Sequence, residues 1–177
     1  MQLRPATIAD VPELAAVGRA TFTDAFGHLY SPADLASFLA QWRSPERIAA
    51  NIGDPATGVT VVEDGGEILA YCTTVYGKGF DERPDPKPVR PAYLAQLYCT
   101  QAATGRGIGA ALMDDVVAEA QRRGCDAIQL SVFSGNQGAQ RFYARYGFAK
   151  VADIHFQVGE QLDAEYLFEK QLREKSA

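Results

Sequence analysis

The residues best suited to chemistry stand in two strings. The first is Thr104-Gly105-Arg106-Gly107-Ile108-Gly109, which follows a strand-like run and opens a helical one. A helix N-terminus offers unsatisfied N–H groups and a positive dipole end, so it can hold a phosphate. Glycines let the backbone approach that phosphate with no Cβ in the way, and Arg106 adds a charge. The bland alternative is a glycine-rich turn. A nucleotide-binding loop of the Walker type would end in Gly-Lys-Ser/Thr, and none occurs. Gly105-x-Gly107-x-x-Ala110 also fits a loose dinucleotide fingerprint, but no acidic residue follows where Gln129-Leu130-Ser131 stands. The second string is Asn136, Ala139, Phe142-Tyr143 and Gly147-Phe148. An Asn at the mouth of a strand can cap the next helix or hold a ligand amide. Tyr143 shares a helical face with Ala139 and, taken alone, reads as a core aromatic. Two histidines, His28 and His155, exclude a His-rich metal centre.

Strand–loop–helix units must position both strings. Ala92 to Thr100 reads as the strand before the glycine loop, and Leu112, Met113, Val116, Val117 and Ala120 form the face of its helix, stopped by Gly124. Ala127 to Phe133 is the next strand, and Gly147 ends the helix that carries Tyr143. Upstream, Gln2 to Arg4 is a short strand. Thr7 and Asp10 form a capping box before a helix bearing Val11, Leu14, Val17 and Thr21. Ser31-Pro32-Ala33-Asp34 opens a second helix through Trp42, and Ser44-Pro45 a short third one through Ile48. Val59 to Glu63 and Glu67 to Val75 are strands joined by a turn at Asp64-Gly65-Gly66. Phe148 to Phe156 and Tyr166 to Leu172 are the last strands. This order predicts an α/β (α+β) fold: a mixed, twisted sheet of six to seven strands with helices on both faces. Gly77 to Pro91 reads as a long loop within it.

The chain has 177 residues, with 17 Lys+Arg against 22 Asp+Glu for a formal charge of −5, and 47% hydrophobic residues. That describes one globular domain, residues 1–177. The acidic balance argues against a nucleic-acid or anionic membrane surface. No apolar run reaches the roughly 20 residues of a membrane span, and the N-terminus lacks the apolar core of a signal peptide. Cys72, Cys99 and Cys125 are odd in number and form no C-x-x-C pair, as expected of reduced thiols in a cytoplasmic protein without a zinc site.

Together the two strings resemble the signature motifs of the GNAT superfamily of acyl-CoA-dependent N-acyltransferases. The first is similar to the Gln/Arg-x-x-Gly-x-Gly/Ala pyrophosphate loop. Gly107 and Gly109 match it, and Thr104 replaces the usual Gln or Arg. The second matches Asn-x-x-Ala-x-x-Phe-Tyr-x-x-x-Gly-Phe throughout. The opening Leu3-Arg4-Pro5-Ala6-Thr7 with Asp10 is also similar. A narrower likeness, to bacterial spermidine/spermine acetyltransferases of the Pai type, rests on Thr21-Phe22-x-Asp24-x-Phe26, Ser31-Pro32, Leu39, and Phe156-x-x-Gly159 with Glu165.

The resemblance implies a V-shaped split between Ala92–Thr100 and Ala127–Phe133 with acetyl-CoA lying in it. Leu97, Tyr98 and Cys99 would pair with the pantetheine. Gly105, Arg106, Gly107, Ile108, Gly109 and Ala110 would hold the pyrophosphate, and Asn136 the pantetheine arm. An amine would attack the thioester directly. Backbone N–H near Tyr98 or Cys99 would stabilise the developing oxyanion, and Tyr143 would protonate the departing thiolate. The implied acceptor is a small amine or a polyamine, with no nucleic-acid or membrane partner and a homodimer left open. Glu67, Glu165, Asp24 and His155 are candidates for the base, beside a chain of waters. Gln96 cannot serve, and Cys99 is not expected to act as a nucleophile. Phe22, Phe26, Tyr30 and Phe38 would wall the acceptor site. Asp24, Asp34 and the acidic loop of Asp81, Glu82 and Asp85 would draw a cation. Rival readings are a protein N-terminal or lysine acetyltransferase, and a non-catalytic acyl-CoA-binding module.

Overall fold

The computed structural model describes residues 1–172. Seven strands, β1 (Gln2–Pro5), β2 (Thr57–Asp64), β3 (Glu67–Tyr76), β4 (Pro91–Cys99), β5 (Ala127–Phe133), β6 (Ala149–Val158) and β7 (Gln161–Gln171), form one sheet in the order β1-β2-β3-β4-β5-β7-β6. Only the central pair, β4 and β5, is parallel. Helices α1 (Val11–Phe26), α2 (Pro32–Trp42) and α3 (Pro45–Gly53) cover one face, and α4 (Ile108–Arg122) and α5 (Gln137–Arg145) the other.

Local chemistry accounts for the boundaries. Ser31 caps α2, its hydroxyl accepting from the Asp34 amide, and Ser44 does the same for α3 from Arg47. The Thr7–Asp10 box forms, but it opens a single 3-10 turn from which α1 continues. The β2–β3 hairpin needs positive φ at both Gly65 and Gly66, the requirement of a two-residue turn matched to strand twist. Three elements run longer than the sequence patterns predict. Helix α3 continues past Ile48 to Gly53. Strands β6 and β7 extend to a tight connection at Gly159 and Glu160. Polar Gln161 and Asp163 lie in that β7 extension, so apolar alternation does not disclose it.

The core divides between the two faces. Alternate residues of the strands look opposite ways, so Val61 packs under α1 and α3 whereas Val62 joins the α4 side. On α4, Leu112, Met113, Val116 and Ala120 are all buried. Their spacing fixes the rotation of α4 and therefore the aim of its N-terminus. A third cluster, Phe22, Phe38, Leu39 and Val158, joins α1 and α2 to β6.

The sheet parts in the middle. Strands β4 and β5 pair only at Pro91–Ala127, Ala92–Ile128 and Tyr93–Gln129. Beyond Tyr93, β4 stays with β3 and β5 stays with β7. The long loop between β3 and β4 stitches the closed end. Asp126 accepts from the amides of Val89 (2.7 Å) and Arg90 (3.0 Å), and Gln129 from Phe80 (3.0 Å).

Candidate active site

A bulge in β4 sets which backbone groups enter the split. Thr73 opposes Gln96 and Thr74 opposes Leu94, so Ala95 is an extra residue. Before it, the Gly77 amide bonds the Pro91 carbonyl (2.8 Å), and after it the Thr100 amide bonds the Leu69 carbonyl (2.9 Å). In an antiparallel pair such contacts recur at every second residue. Tyr98 and Gln96 therefore turn their backbone groups towards β3. Leu97 and Cys99 turn theirs towards the split, where no strand meets them. Bulges that redirect a strand in this way are common beside active sites.

The glycine loop lies at the open end of β4. Gly105 and Gly107 have φ of +76° and +72°, and Gly107 caps α4. Within α4 the Ala111 amide reaches back to the Gly107 carbonyl (3.1 Å). The amides of Ile108, Gly109 and Ala110 precede it and have no intrahelical partner. Gly109 packs close to Phe142 of α5 and Cys99 of β4, so the loop, β4 and α5 meet at one place. Arg106 lies elsewhere: its guanidinium binds Asp64 (2.7 Å), which also holds the N-terminal ammonium (3.0 Å). Its charge stands beside the loop, tethered to the β2–β3 hairpin. Asn136 caps α5, its Oδ1 accepting from the Ala139 amide (3.0 Å), which leaves the amide nitrogen for the split.

A cavity of about 240 Å³ occupies the parted strands. Its lining includes Leu97, Tyr98, Asn136 and Tyr143, with Phe22, Phe26, Tyr30 and Phe38 as aromatic walls. Burial, chiefly, holds the Tyr143 phenol protonated, and Tyr98, Cys99 and Cys72 add to the effect. The Cys99 thiol is also pushed upward by burial. It is therefore a poor thiolate, in keeping with its exclusion as a nucleophile.

Of the four candidate bases only Glu165 lines the cavity. It sits on β7 opposite Phe133. Its Oε2 is buried with no hydrogen-bond partner. Burial raises its pKa, the Ser131 hydroxyl partly offsets this, and Asp163 adds to it. Glu67 is exposed at the hairpin and Asp24 is exposed on α1. His155 projects from the outer side of β6, since Ile154, Phe156 and Val158 turn inward. The cation-attracting acids also disperse. Asp34 binds the Ser31 hydroxyl and the Glu160 amide, and Asp81, Glu82 and Asp85 belong to the loop at the closed end. Two residues not foreseen complete the site. Arg43, just past the end of α2, lines the cavity and is buried. Asp163 accepts from the Tyr30 hydroxyl. The start of β7 was the segment whose pattern was hidden, and Arg43 reads in sequence as a helix-end charge.

A parallel pair parted beyond a bulge, free amides at a glycine-capped helix and a carboxylate with one buried, unpartnered oxygen thus meet around one cavity. The chain belongs to the acetyltransferase (GNAT) family, whose profile it matches over residues 20–148. It is an N-acetyltransferase with acetyl-CoA as its acyl donor. It is 32% identical over 165 residues to a protein of Mycobacterium tuberculosis strain H37Rv named as an uncharacterized N-acetyltransferase, covering 93% of this chain and 99% of that one. A similarly named protein of Lactobacillus delbrueckii subsp. lactis is 26% identical over 163 residues, 92% of each chain. Among solved structures, the PaiA N-acetyltransferase of Thermoplasma acidophilum in complex with coenzyme A has the same fold. Its TM-score is 0.76 at 18% identity, over 97% of this chain and 98% of that one. Among the described residues no helix is long and apolar enough to cross a membrane.

Proposed function

We propose that this enzyme acetylates the primary amine of a small molecule by direct transfer from acetyl-CoA. Glu165 receives the amine's proton and Tyr143 protonates the thiolate. The observation that carries this reading is Glu165, half-buried with its Oε2 wholly buried and unpartnered, in the cavity where β4 and β5 part.

The residues present suit an acyl-CoA. The unpaired groups of Leu97 and Cys99 match a chain of amides laid along the strand edge. The amides of Ile108 to Ala110 match a pyrophosphate. The amide nitrogen of Asn136 remains free to donate. When bound, acetyl-CoA supplies a thioester carbonyl open to attack. An amide N–H of β4 facing the split, that of Cys99 or Leu97, stabilises negative charge developing on the carbonyl oxygen. Glu165 takes a proton from the substrate ammonium, directly or through one water, and the amine so freed attacks the thioester carbon. The Tyr143 phenol keeps its proton until a basic thiolate forms beside it. A water relay in place of Glu165 is the rival for the first proton transfer.

The likeness of Phe22, Asp24, Phe26, Gly159 and Glu165 to Pai-type enzymes points to an aliphatic amine such as a polyamine, and the aromatic walls suit its methylenes, but buried Arg43 in the same cavity counts against a second cation. The tightly walled cavity disfavours an extended peptide, hence a protein acetyltransferase. Reduced thiols and an acyl-CoA donor fit a cytoplasmic location. Incubation with acetyl-CoA and a panel of small amines tests the reading. Release of free CoA that requires both an amine and Glu165 is expected. No release with any amine would leave a binding module.

A further inference from the structure

We propose that the acceptor is an amine that also carries an anionic group, in the first place a carboxylate, and that Arg43 binds that group. The inference rests on the acetyltransferase reading of the cavity and goes further by naming the substrate class. Arg43 is 5% exposed. Among the described residues it makes no ion pair, and its Nε is buried with no hydrogen-bond partner. Its Nη1 donates to the Trp42 carbonyl (3.1 Å). Three rings hold the guanidinium instead, with Phe22, Phe38 and Tyr98 centroids 5.5, 5.3 and 5.6 Å from its central carbon. The stem passes Gly18 of α1, where a Cβ would meet it at 3.2 Å. Packing therefore fixes the side chain against the cavity wall.

A buried charge is normally paired or fully hydrogen-bonded. A guanidinium carries five N–H donors in a planar fork that matches a carboxylate or phosphonate. The neutral hydroxyls of Tyr71 and Tyr98 also take hydrogen bonds from the guanidinium. Among the described residues no anion balances its charge, and Nε keeps a donor without a partner. The same cavity holds Glu165 on β7. It thus presents a carboxylate from the sheet and a guanidinium from the end of α2, complementary to a zwitterion. A polyamine would bring a second cation beside a buried one, and like charges repel strongly where water is excluded.

Matched substrate pairs that differ in the anion alone provide the test. Suitable pairs are leucine with 3-methylbutylamine, phenylalanine with 2-phenylethylamine, and 4-aminobutanoate with propylamine. A phosphonate analogue of each acid shows whether the fork reads any oxyanion. In at least one pair kcat/KM should favour the acid by about 100-fold, within the cost of leaving a buried charge unpaired. Arg43→Gln should cut that preference to about threefold while the KM for acetyl-CoA and the far-UV circular dichroism spectrum stay as in the parent. If Arg43→Gln does not fold, Arg43→Lys keeps the charge but loses the fork, and should lower the preference about tenfold. Preference for the amine without the anion in every pair, or a preference that survives Arg43→Gln, overturns the assignment. A binding measurement separates this from failure of the acetyltransferase reading. Should no amine turn over, 4-methylpentanoate should still raise the parent's Tm but not that of the Arg43 variant. No rise in the parent would overturn the anion site as well.

Discussion

In the proposed reaction two side chains handle protons, and their surroundings suit them to opposite tasks. Glu165 is raised above an ordinary glutamate by burial, so it ionises at a higher pH and holds a proton more readily once it takes one. The acid limb of kcat/KM should therefore lie above the range of a free glutamate, and Glu165→Gln should abolish it while lowering kcat/KM by about 10²-fold or more. The same shift affects stability. A carboxyl with a raised folded-state pKa favours folding when protonated, and that advantage is lost as pH rises from the unfolded value through the folded one. At neutral pH the ionised group opposes folding. Glu165→Gln should thus raise Tm at neutral pH, by an amount that shrinks as pH falls into the carboxylate range. A thermal melt that is unchanged or lower would contradict the buried, unpaired carboxylate. Tyr143→Phe should lower kcat by about 10²-fold with little change in KM, since the bond to sulfur forms only as the thiolate departs. A kcat within about threefold of the parent, with chemistry rate-limiting, would leave Tyr143 as a packing residue. Asn136 and Tyr143 were legible in sequence because their spacing is a local pattern. Arg43 was not, and Glu165 stood only as one of four candidate bases, because burial and the lack of a partner are properties of the assembled cavity.

At the scale of elements, the decisive devices are a bulge and two caps. Gly107 begins α4 with φ of +72°, and nothing lies within 4 Å of where its Cβ would be. Gly107→Val is therefore opposed by backbone conformation and not by crowding. It should raise the KM for acetyl-CoA at least tenfold by turning the first amides of α4 away. An unchanged cofactor KM in a folded variant would sever the loop from pyrophosphate binding. Asp10 holds the other cap. It accepts from the Thr7 amide (2.7 Å) and pairs with Arg4 (2.8 Å), which holds it well below the usual carboxylate range. A lowered pKa contributes stability above the unfolded value and loses it as pH falls. Asp10→Ala should cost about 1–2 kcal/mol at neutral pH and less in acid, as denaturant melts at the two pH values would show. Both caps were legible, since Thr-x-x-Asp and Gly-x-Gly are short-range signals. The bulge at Ala95 was not, because it depends on the register of β4 against β3. Its effect is specific: Leu97 and Cys99, and not Tyr98, turn their amides to the split.

At the scale of the molecule, the sheet is two antiparallel sets, β1 to β4 and β5 to β7, joined by one short parallel contact. The glycine-loop helix and the Asn136 helix bracket the opening between them. The α/β class and a sheet of six to seven strands followed from the sequence, because the hydrophobic faces of its strands and of α4 are regular, and the place of the split followed from the resemblance of its two motifs to those of the GNAT superfamily. The extent of β7 did not, and with it the depth of the cavity. The central claim is that acetyl-CoA lies in the split as a stand-in strand. Residue-resolved amide hydrogen exchange with and without acetyl-CoA tests it most directly, since protection reports new hydrogen bonds. Leu97, Cys99 and Ile108 to Ala110 should exchange at least tenfold more slowly when acetyl-CoA is bound. Tyr98, already paired with β3, should change little. Unchanged exchange at Leu97 and Cys99 under saturating acetyl-CoA would contradict the account.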